Sequence, residues 1–439
     1  MRKTIAIILG MIMLFSFAAC GKSAPPEEPM PDEAPETDGA AEDSSKLTVW
    51  CWDPAVNIYA MQEAAKIYKA RNPGFGIDIV EVPWDELQTR LIAAATAKKL
   101  DTLPDIFLCQ DDAFQKNIIN FPEIFADITN SGIRFNDFGA AKVAYSVLSG
   151  RNYGVPFDAG TVIMALRKDV LSVAGYTIDD FTDMSWEQFV DYGRNVYYAT
   201  GVPLYSDRYR ETDLIMIMLQ SAGVSLFNAD GTPNIADNEV LARCMEVYIE
   251  LIDSGVCMLV NNWDEYIASF VDGTVGGTIN GCRIIGSIQT AGDQTTNWAV
   301  TNIPSLDVPG GTNYSNNGGS SWAVASSSGN KELAIDFLAN TFAGSVEFYE
   351  TILESSGIIG TWRPAGASSV YSKPQIFFDG QSVFADIVDF TGKVPGIAKG
   401  AYYYEARDAI GLALALVVEG ADIHQALQEA EDTVLLQMR

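Results

Sequence analysis

The sequence contains few basic residues and a single histidine. Its 28 Lys and Arg residues stand against 57 Asp and Glu residues, which gives a formal net charge of −29 at pH 7. Such a surface repels polyanions, so nucleic acid is excluded as a partner. His424 alone cannot build a histidine-rich metal site. No glycine-rich turn follows the first predicted strand to hold a dinucleotide, so we expect neither a metal nor another cofactor.

Cysteine is also scarce. Beyond Cys20, five cysteines remain in the chain, and an odd number does not fit a complete disulfide framework. No pair among them has the spacing of metal ligands. We therefore expect buried free thiols at Cys51, Cys109, Cys244, Cys257 and Cys282.

The N-terminus has the pattern of an export signal. Arg2 and Lys3 precede an apolar run over residues 5–17, which is too short to span a bilayer. The ending Ala-Ala-Cys-Gly resembles a bacterial lipobox, which implies a signal peptide over residues 1–19 and a palmitate-bearing lipid anchor on Cys20. We expect the protein at the outer face of the cell membrane, or in the periplasm if the source has two membranes.

A tether follows the anchor, over residues 20–46. Residues 21–46 hold five prolines and eight acidic residues with almost nothing apolar, a composition typical of disorder. The remaining 393 residues, 47–439, exceed one ordinary hydrophobic core. The sequence therefore predicts two lobes, and we expect a monomer.

Strands and helices alternate at the start of this folded part. Apolar strands are predicted over 47–51, 77–82 and 106–109, and helices begin near Pro54 and Trp84. This alternation predicts an α/β fold with a parallel sheet.

The three predicted strands are followed by aromatic, carboxylate or amide side chains. Trp52 and Asp53 follow the first strand, Trp84 the second, and Gln110 and Asp111 the third. Ligands of parallel sheets bind at this edge, where oxygens accept hydrogen bonds from hydroxyls and rings cover the apolar face of a sugar. Alternatively, Asp53 only caps a helix, and the Trp84 side chain only packs between neighbouring secondary-structure elements.

The order of several further segments resembles a known family. These segments are Tyr-Gly-Val-Pro-Phe-Asp-Ala-Gly-Thr over 153–161, Thr-Ile-Asn-Gly over 278–281, Gly-Gly-Ser-Ser-Trp over 318–322 and Gly-Thr-Trp-Arg-Pro over 360–364. Together they resemble the family 1 extracellular solute-binding proteins of bacterial ABC importers, the maltose-binding-protein-like group. The resemblance covers nearly all of residues 47–439.

This resemblance implies a two-lobed periplasmic-binding-protein-like fold of type II, with three hinge crossings. Matched to this sequence, the crossings fall near residues 155–160, 300–303 and 343. The N-terminal lobe is then 47–157 plus 302–343, and the C-terminal lobe is 158–301 plus 344–439. Closure of the two lobes buries a solute between them. An ABC permease then distinguishes this closed form of the protein from the open form.

The resemblance also implies a set of ligand-binding residues. Rings are expected at Trp52, Trp322, Trp362 and Tyr403, in addition to Trp84 from the strand ends, and polar or hinge contacts at Asp53, Gln110, Asp111, Asp158, Gly160, Thr161, Arg283 and Arg363. Arg283 departs from the family, because many relatives have a tryptophan there. A fixed cation favours an anionic sugar, unless Arg283 pairs with a local acidic residue.

The expected function is capture of a sugar or oligosaccharide and its delivery to an ABC permease, without catalysis. Two alternatives stay open. A secreted glycoside hydrolase needs a pair of carboxylates, which Asp111 or Asp112 with Asp158 would supply. A ferric-ion carrier on the same fold needs hard oxygen ligands, which the tyrosines over 402–404 or 197–198 would offer.

Overall fold

The computed structural model describes residues 46–439. Twelve strands lie in this range: β1 Lys46–Cys51, β2 Gly76–Glu81, β3 Ile106–Gln110, β4 Val147–Leu148, β5 Arg151–Asn152, β6 Gly154–Asp158, β7 Val162–Arg167, β8 Tyr205–Arg208, β9 Cys257–Val260, β10 Gly277–Gly281, β11 Trp298–Thr301 and β12 Ser320–Val324. The α-helices of the same range are α1 Tyr59–Arg71, α2 Trp84–Ala97, α3 Asp111–Asn120, α4 Ala140–Ala144, α5 Lys168–Val173, α6 Trp186–Thr200, α7 Asp213–Ser221, α8 Glu239–Asp253, α9 Trp263–Val271, α10 Ile284–Ile288, α11 Lys331–Asn340, α12 Val346–Ser356, α13 Arg363–Gly366, α14 Val383–Thr391, α15 Tyr403–Val418 and α16 Ile423–Gln437.

The N-terminal lobe is built on a five-stranded sheet with the order β2-β1-β3-β12-β6. β1 runs parallel to β2 and β3, as the alternation of strands and helices predicts, whereas β12 is antiparallel to both β3 and β6. Ile106, Phe107 and Leu108 are fully buried, because layers of helices and loops cover both faces of β3. The predicted α/β fold class is confirmed, and its parallel part ends at β3.

The C-terminal lobe contains two smaller sheets. β7 lies between β10 and β11 and is antiparallel to both, and β8 pairs with β9 in parallel. α8 and α9 pack beside the β8-β9 pair. The C-terminal helices α15 and α16 pack on each other and on α8, so the end of the chain belongs to this lobe.

The chain passes between the two lobes three times. β6 lies in the first sheet and β7 in the second, so the first passage is at residues 159–161. β11 and β12 are likewise in different sheets, which places the second passage within residues 302–319. At the first passage the backbones touch, because a Cβ added to Gly160 would lie 2.2 Å from the carbonyl oxygen of Gly318.

The third predicted passage, near residue 343, is wrong. α12 follows this point and still packs on α1 of the N-terminal lobe. The chain changes lobe only after α12, where Ala159 N donates to Ile359 O at 2.9 Å. By Gln381 it has reached the second sheet, since the Oε1 of this residue accepts from Val300 N. The apolar contact of Phe342 with Phe348 keeps α12 with the first lobe, and the sequence pattern does not show it.

The described part of the chain also tests the expectation about the cysteines. The five cysteines that it contains are buried and free, as predicted. Between residues 46 and 439, no helix has both the length and the apolar composition needed to cross a membrane. The predicted signal peptide, the lipidation site Cys20 and the tether lie outside the described residues, except for Lys46 at its end, which opens β1.

Candidate functional site

A cavity of about 830 Å³ lies between the two lobes. Asp53 and Val56, directly after β1, line it on the side of the N-terminal lobe, and Arg283 and Gln289 of the C-terminal lobe line it across from them. Its floor contains Asp158, the last residue of β6 before the first passage between the lobes. We call this space the cleft cavity.

Asp158 and Arg283 form an ion pair in the cleft cavity. The Asp158 side chain is 3% exposed, and its Oδ2 lies 2.9 Å from Arg283 Nη2. The other oxygen, Oδ1, accepts from the backbone N and the Oγ of Ser320 at 2.8 and 2.6 Å. The Asp158 carboxylate raises the pKa of the guanidinium. Arg283 therefore has the local acidic partner that the sequence left open, and its charge is balanced.

The remaining exposure of Arg283 makes this pair accessible from the cleft. Its side chain is 52% exposed, although Asp53, Asp111 and Asp158 all act on its charge. One edge of the guanidinium faces the buried carboxylate, so the exposed part has donors for a bound polar molecule. The arrangement holds an arginine in a fixed direction at the surface of the cavity.

The residues after β1 lie at the cleft and also have structural contacts. Asp53 Oδ1 accepts from Ala55 N at 2.9 Å and from Val56 N at 3.2 Å, so it caps the π-helical turn Pro54–Ile58 before α1. Trp52 packs on Trp84 with ring centroids 5.1 Å apart. The same carboxylate therefore caps a helical turn and lines the cavity, and its contact with a ligand stays a prediction.

The two predicted residues at the end of β3 have different environments. Gln110 is half-buried, and its Oε1 accepts from Tyr404 OH at 3.2 Å. Asp111 is fully buried in an ion pair with Lys142, and its Oδ1 also accepts from Ser321 Oγ at 2.9 Å. Burial raises the pKa of Asp111 to about 6, against the opposing effect of Lys142. Asp111 is thus a structural residue of the N-terminal lobe, and its prediction as a ligand contact is wrong.

Three of the aromatic rings that were predicted to stack on a ligand are buried as well. Trp322 is 0% exposed, because β12 lies inside the first sheet, and its ring packs near Phe157 and Phe342 at 5.7 and 5.4 Å. Trp362 stacks on Tyr349 with centroids 6.2 Å apart and is 5% exposed. A ring covered by protein on both faces cannot cover a sugar, so these two predictions are wrong.

Tyr403 is the third buried platform. It is 3% exposed, and Lys399 Nζ lies 4.2 Å from the ring centroid and 2.9 Å from the hydroxyl. An ammonium group of the same chain therefore occupies the ring face that was predicted for a ligand. The Tyr403 ring is therefore covered in this arrangement of the protein, and its contact with a ligand stays a prediction.

The other predicted positions are at the passages between the lobes. Thr161 is buried, and its Oγ1 lies 2.6 Å from Thr391 Oγ1, so it joins two segments of the protein rather than facing the cavity. The exposed Arg363 donates to the backbone oxygen of Asn136. Its side chain is thus engaged with the N-terminal lobe.

Sequence reasoning missed an exposed tryptophan beside the cleft. A second space of about 280 Å³ is lined by Trp263, Asn280 and Asn317, and it shares Ala159, next to the first passage, and Arg283 with the cleft cavity. Trp263 is 45% exposed at the start of α9, where Asn262 Oδ1 caps the helix by accepting from Glu265 N. We call this space the Trp263 compartment, and Gly160 also contributes to its lining.

The Trp263 ring is held in place by its neighbours. Tyr266 lies 5.3 Å away at an interplanar angle of 37°, and the guanidinium of Arg208 lies 5.3 Å from the ring centroid. Asn280 Oδ1 accepts from Asn317 Nδ2 at 3.3 Å, which places amide groups at the opposite wall. In the sequence Trp263 only follows Asn262, a residue that often caps a helix, and such a position does not indicate a cleft.

Neither alternative function gains an observation in its favour. Asp111 is buried and paired with Lys142, so it lacks the access that a catalytic carboxylate needs. Tyr403 OH is bonded to Lys399 and Tyr404 OH to Gln110, which leaves these phenols engaged within the protein. Among the residues described, no group of three or more His, Cys, Asp and Glu side chains is placed to hold a metal ion.

The chain is similar to known binding proteins over most of its length. It is 34% identical to the lactose-binding protein of Rhizobium radiobacter over 389 residues, which cover 89% of this chain and 92% of the relative. It is 21% identical to the arabinooligosaccharide-binding protein of Bacillus subtilis (strain 168), with 93% of each chain covered.

Among solved structures, the sugar-binding protein MalE from Xanthomonas citri has the same two-lobed fold. The TM-score is 0.75, with 16% sequence identity, 90% of this chain and 98% of the other covered. The family model described as "Bacterial extracellular solute-binding protein" matches residues 63–377. On this match and on the 34% identity over nearly its full length, the chain belongs to the bacterial extracellular solute-binding proteins.

Proposed function

We propose that this protein binds a neutral sugar or short oligosaccharide in the cleft cavity and delivers it unchanged to the permease of an ABC importer. The observation that carries the proposal is the pairing of a buried carboxylate with a half-exposed arginine, Asp158 with Arg283, on the floor of a cavity between two lobes. The names of the lactose-binding and arabinooligosaccharide-binding relatives support the ligand class.

The size of the two spaces fits more than one sugar ring. The cleft cavity and the Trp263 compartment have volumes of about 830 and 280 Å³ and share Arg283. Ligand sites of proteins typically have volumes of about 300–1,000 Å³. These volumes and the exposed tryptophan favour one arrangement of a saccharide. One sugar ring stacks on the indole of Trp263, and the other sugar units lie in the cleft cavity.

The charges of the cleft cavity favour a neutral ligand. Three acidic residues line it (Asp53, Asp158 and Glu354) against two basic ones. Arg283 is paired with Asp158, and the second basic residue, Lys373, is paired with Glu354. In this site both basic side chains are already paired with carboxylates, so they have no charge left over for an anionic sugar. The carboxylate of Asp53 would repel such a sugar.

A titration of the purified protein tests this proposal. Lactose and arabinooligosaccharides are titrated calorimetrically, together with an aldobiouronic acid of the same size as lactose. We expect heat and a raised melting temperature with at least one neutral saccharide, because a ligand that binds only the native state stabilises it. Binding of the uronic acid alone, or of no saccharide, would contradict the proposal.

Two variants connect the binding to the site. Arg283→Met is expected to weaken binding at least tenfold, since it removes the exposed donors and leaves the Asp158 carboxylate without its cation. Arg167→Met is the matched control. Arg167 Nη2 lies 2.6 Å from Asp169 Oδ2 in an ion pair, and neither residue lines the cleft cavity. Equal affinities of the two variants would place the ligand elsewhere.

The anchoring at the membrane is part of the same proposal. The lipobox-like sequence and the acidic segment after Cys20 support a lipoprotein that is tethered to the outer face of the membrane. Cells that express the full chain are grown with labelled palmitate, and the label is expected in the wild type but not in Cys20→Ala. Equal labelling of both would remove the anchor from the proposal without affecting the binding site.

A further inference from the structure

Two asparagines that precede glycines face each other across the Trp263 compartment. Asn280 is followed by Gly281 at the end of β10, and Asn317 is followed by Gly318 in the second passage between the lobes. Asn317 Nδ2 donates to Asn280 Oδ1 at 3.3 Å. Asparagine is among the chemically labile residues, and a following glycine promotes loss of its side-chain amide because no Cβ hinders the reacting backbone.

This loss of ammonia needs only the chain and water. The backbone N of the glycine gives up its proton and attacks Cγ of the preceding asparagine. The new N–Cγ bond closes a succinimide ring, and the side-chain amide nitrogen leaves as ammonia. Water then opens the ring at one of its two carbonyls to give aspartate or isoaspartate. The attacking N must therefore release its proton, and the backbone must be able to turn toward Cγ.

The surroundings of Asn317 meet both requirements. Asn317 and Gly318 are half-buried and lie outside any helix or strand. Among the hydrogen bonds within residues 46–439, none has the N–H of Gly318 as its donor. Gly318 has a φ of +87°, and a Cβ built on it would meet no atom within 4 Å, so there is space beside it. The Asn317 side chain itself has only the bond of 3.3 Å to Asn280.

The surroundings of Asn280 do not meet them. Gly281 pairs with Val162 in the ladder between β10 and β7, which fixes its backbone. Its N–H donates to Asn280 Oδ1 at 2.8 Å, so the proton that must leave is engaged. A Cβ on Gly281 would lie 2.6 Å from the carbonyl oxygen of Asn317, and Asn280 Nδ2 donates to Tyr266 OH at 3.2 Å. The same dipeptide is thus held rigidly on one side of the compartment and loosely on the other.

We propose that Asn317 is a site of spontaneous deamidation, which replaces an amide of the Trp263 compartment with a carboxylate and lowers saccharide affinity as the protein ages. The loss of affinity rests on the proposed function, whereas the modification itself does not. A carboxylate has no donor, so two acceptor oxygens would face each other where Asn317 now donates to Asn280. Isoaspartate would also lengthen the main chain where Gly160 and Gly318 touch.

Peptide mapping by mass spectrometry tests the modification. The purified protein is incubated at pH 9, folded in buffer and unfolded in urea, and the deamidated fractions at Asn317 and Asn280 are followed over time. In the folded protein we expect a fraction at Asn317 about tenfold that at Asn280, because only Gly281 is fixed by a strand. In urea the two fractions should be similar. Equal fractions in the folded protein, a larger fraction at Asn280, or no conversion at Asn317 would overturn the proposal.

Calorimetric titration tests the loss of binding. The deamidated protein carries one more negative charge and is separated from the unmodified protein by anion exchange. Its dissociation constant for the saccharide that binds the unmodified protein should be about fivefold higher, and Asn317→Asp should reproduce this rise. Asn130→Asp is the matched control, since it adds the same charge at an exposed residue that lines neither space.

The two measurements have separate outcomes. Equal affinities of the deamidated and unmodified proteins would overturn the effect on binding. If no saccharide bound the unmodified protein, the proposed function would fail, while peptide mapping would still decide whether Asn317 is modified.

Discussion

The Trp263→Ala substitution gives the sharpest test of how the cleft binds its ligand. A tryptophan side chain buries up to about 250 Å². Since Trp263 is 45% exposed, about 110 Å² of this area is open to a ligand. One of the two ring faces is approached by Arg208, so a sugar covers about half of the open area.

The expected loss of affinity follows from this area. About 55 Å² of apolar contact at about 25 cal/mol per Å² corresponds to about 1.4 kcal/mol, a tenfold rise of the dissociation constant. Trp263→Phe retains a smaller ring and should cost about threefold. The measurement is calorimetric titration with the saccharide that binds the wild-type protein.

The control for Trp263→Ala is Tyr198→Ala, which removes another exposed ring. Tyr198 is 77% exposed on α6 and does not line the cleft, so its removal should leave the dissociation constant unchanged. Thermal unfolding of both variants shows whether the fold is retained. A dissociation constant of Trp263→Ala within twofold of the wild type would refute the assignment of the Trp263 compartment to the ligand.

Three further predictions concern buried groups and the backbone. Burial raises the pKa of Asp207 to about 8, so the unfolded chain ionises this carboxyl at lower pH than the folded protein does, and the free energy of unfolding falls as pH rises from about 4 to 8. Asp207→Asn should remove this loss, about 5 kcal/mol at pH 7.5 in urea unfolding. Lys142→Met should reduce the free energy of unfolding by about 3–5 kcal/mol at pH 7.5, because it leaves the buried Asp111 carboxylate without its cation. The loss should be smaller at pH 5, where Asp111 is protonated and carries no charge. An equal loss at both pH values would contradict the ion pair. Gly160→Ala should prevent the passage of the chain beside Gly318, because its Cβ would lie 2.2 Å from a backbone oxygen, and a native-like melting temperature of this variant would contradict the geometry.

Local patterns in the sequence were sufficient for the first lobe. The spacing of apolar residues gave β1, β2 and β3 to within one or two residues, and Asp53 before Pro54 marked the start of a helical segment. These features depend on neighbours in the chain, since capping and periodicity are local effects. The position of Asp53 at the edge of the sheet, where it lines the cleft cavity, followed from the same local pattern.

The errors concern side chains whose surroundings come from distant segments. Trp322 was read as a platform, but β12 pairs with both β3 and β6 and thereby encloses its ring. Gln110 and Asp111 are adjacent in sequence, and only the position of Lys142 makes the second one structural. Trp263 lies beside Arg283 because α9 packs on α10, which no local pattern shows.

The position of β12 in the first sheet has a consequence for biosynthesis. This strand is the fourth in the order β2-β1-β3-β12-β6, although its residues Ser320–Val324 come late in the chain. A nascent chain that ends before them leaves one edge of β3 and one of β6 without a hydrogen-bonding neighbour. Folding of the first lobe must therefore wait until most of the protein has been synthesised, and truncated products should aggregate rather than form an independent half.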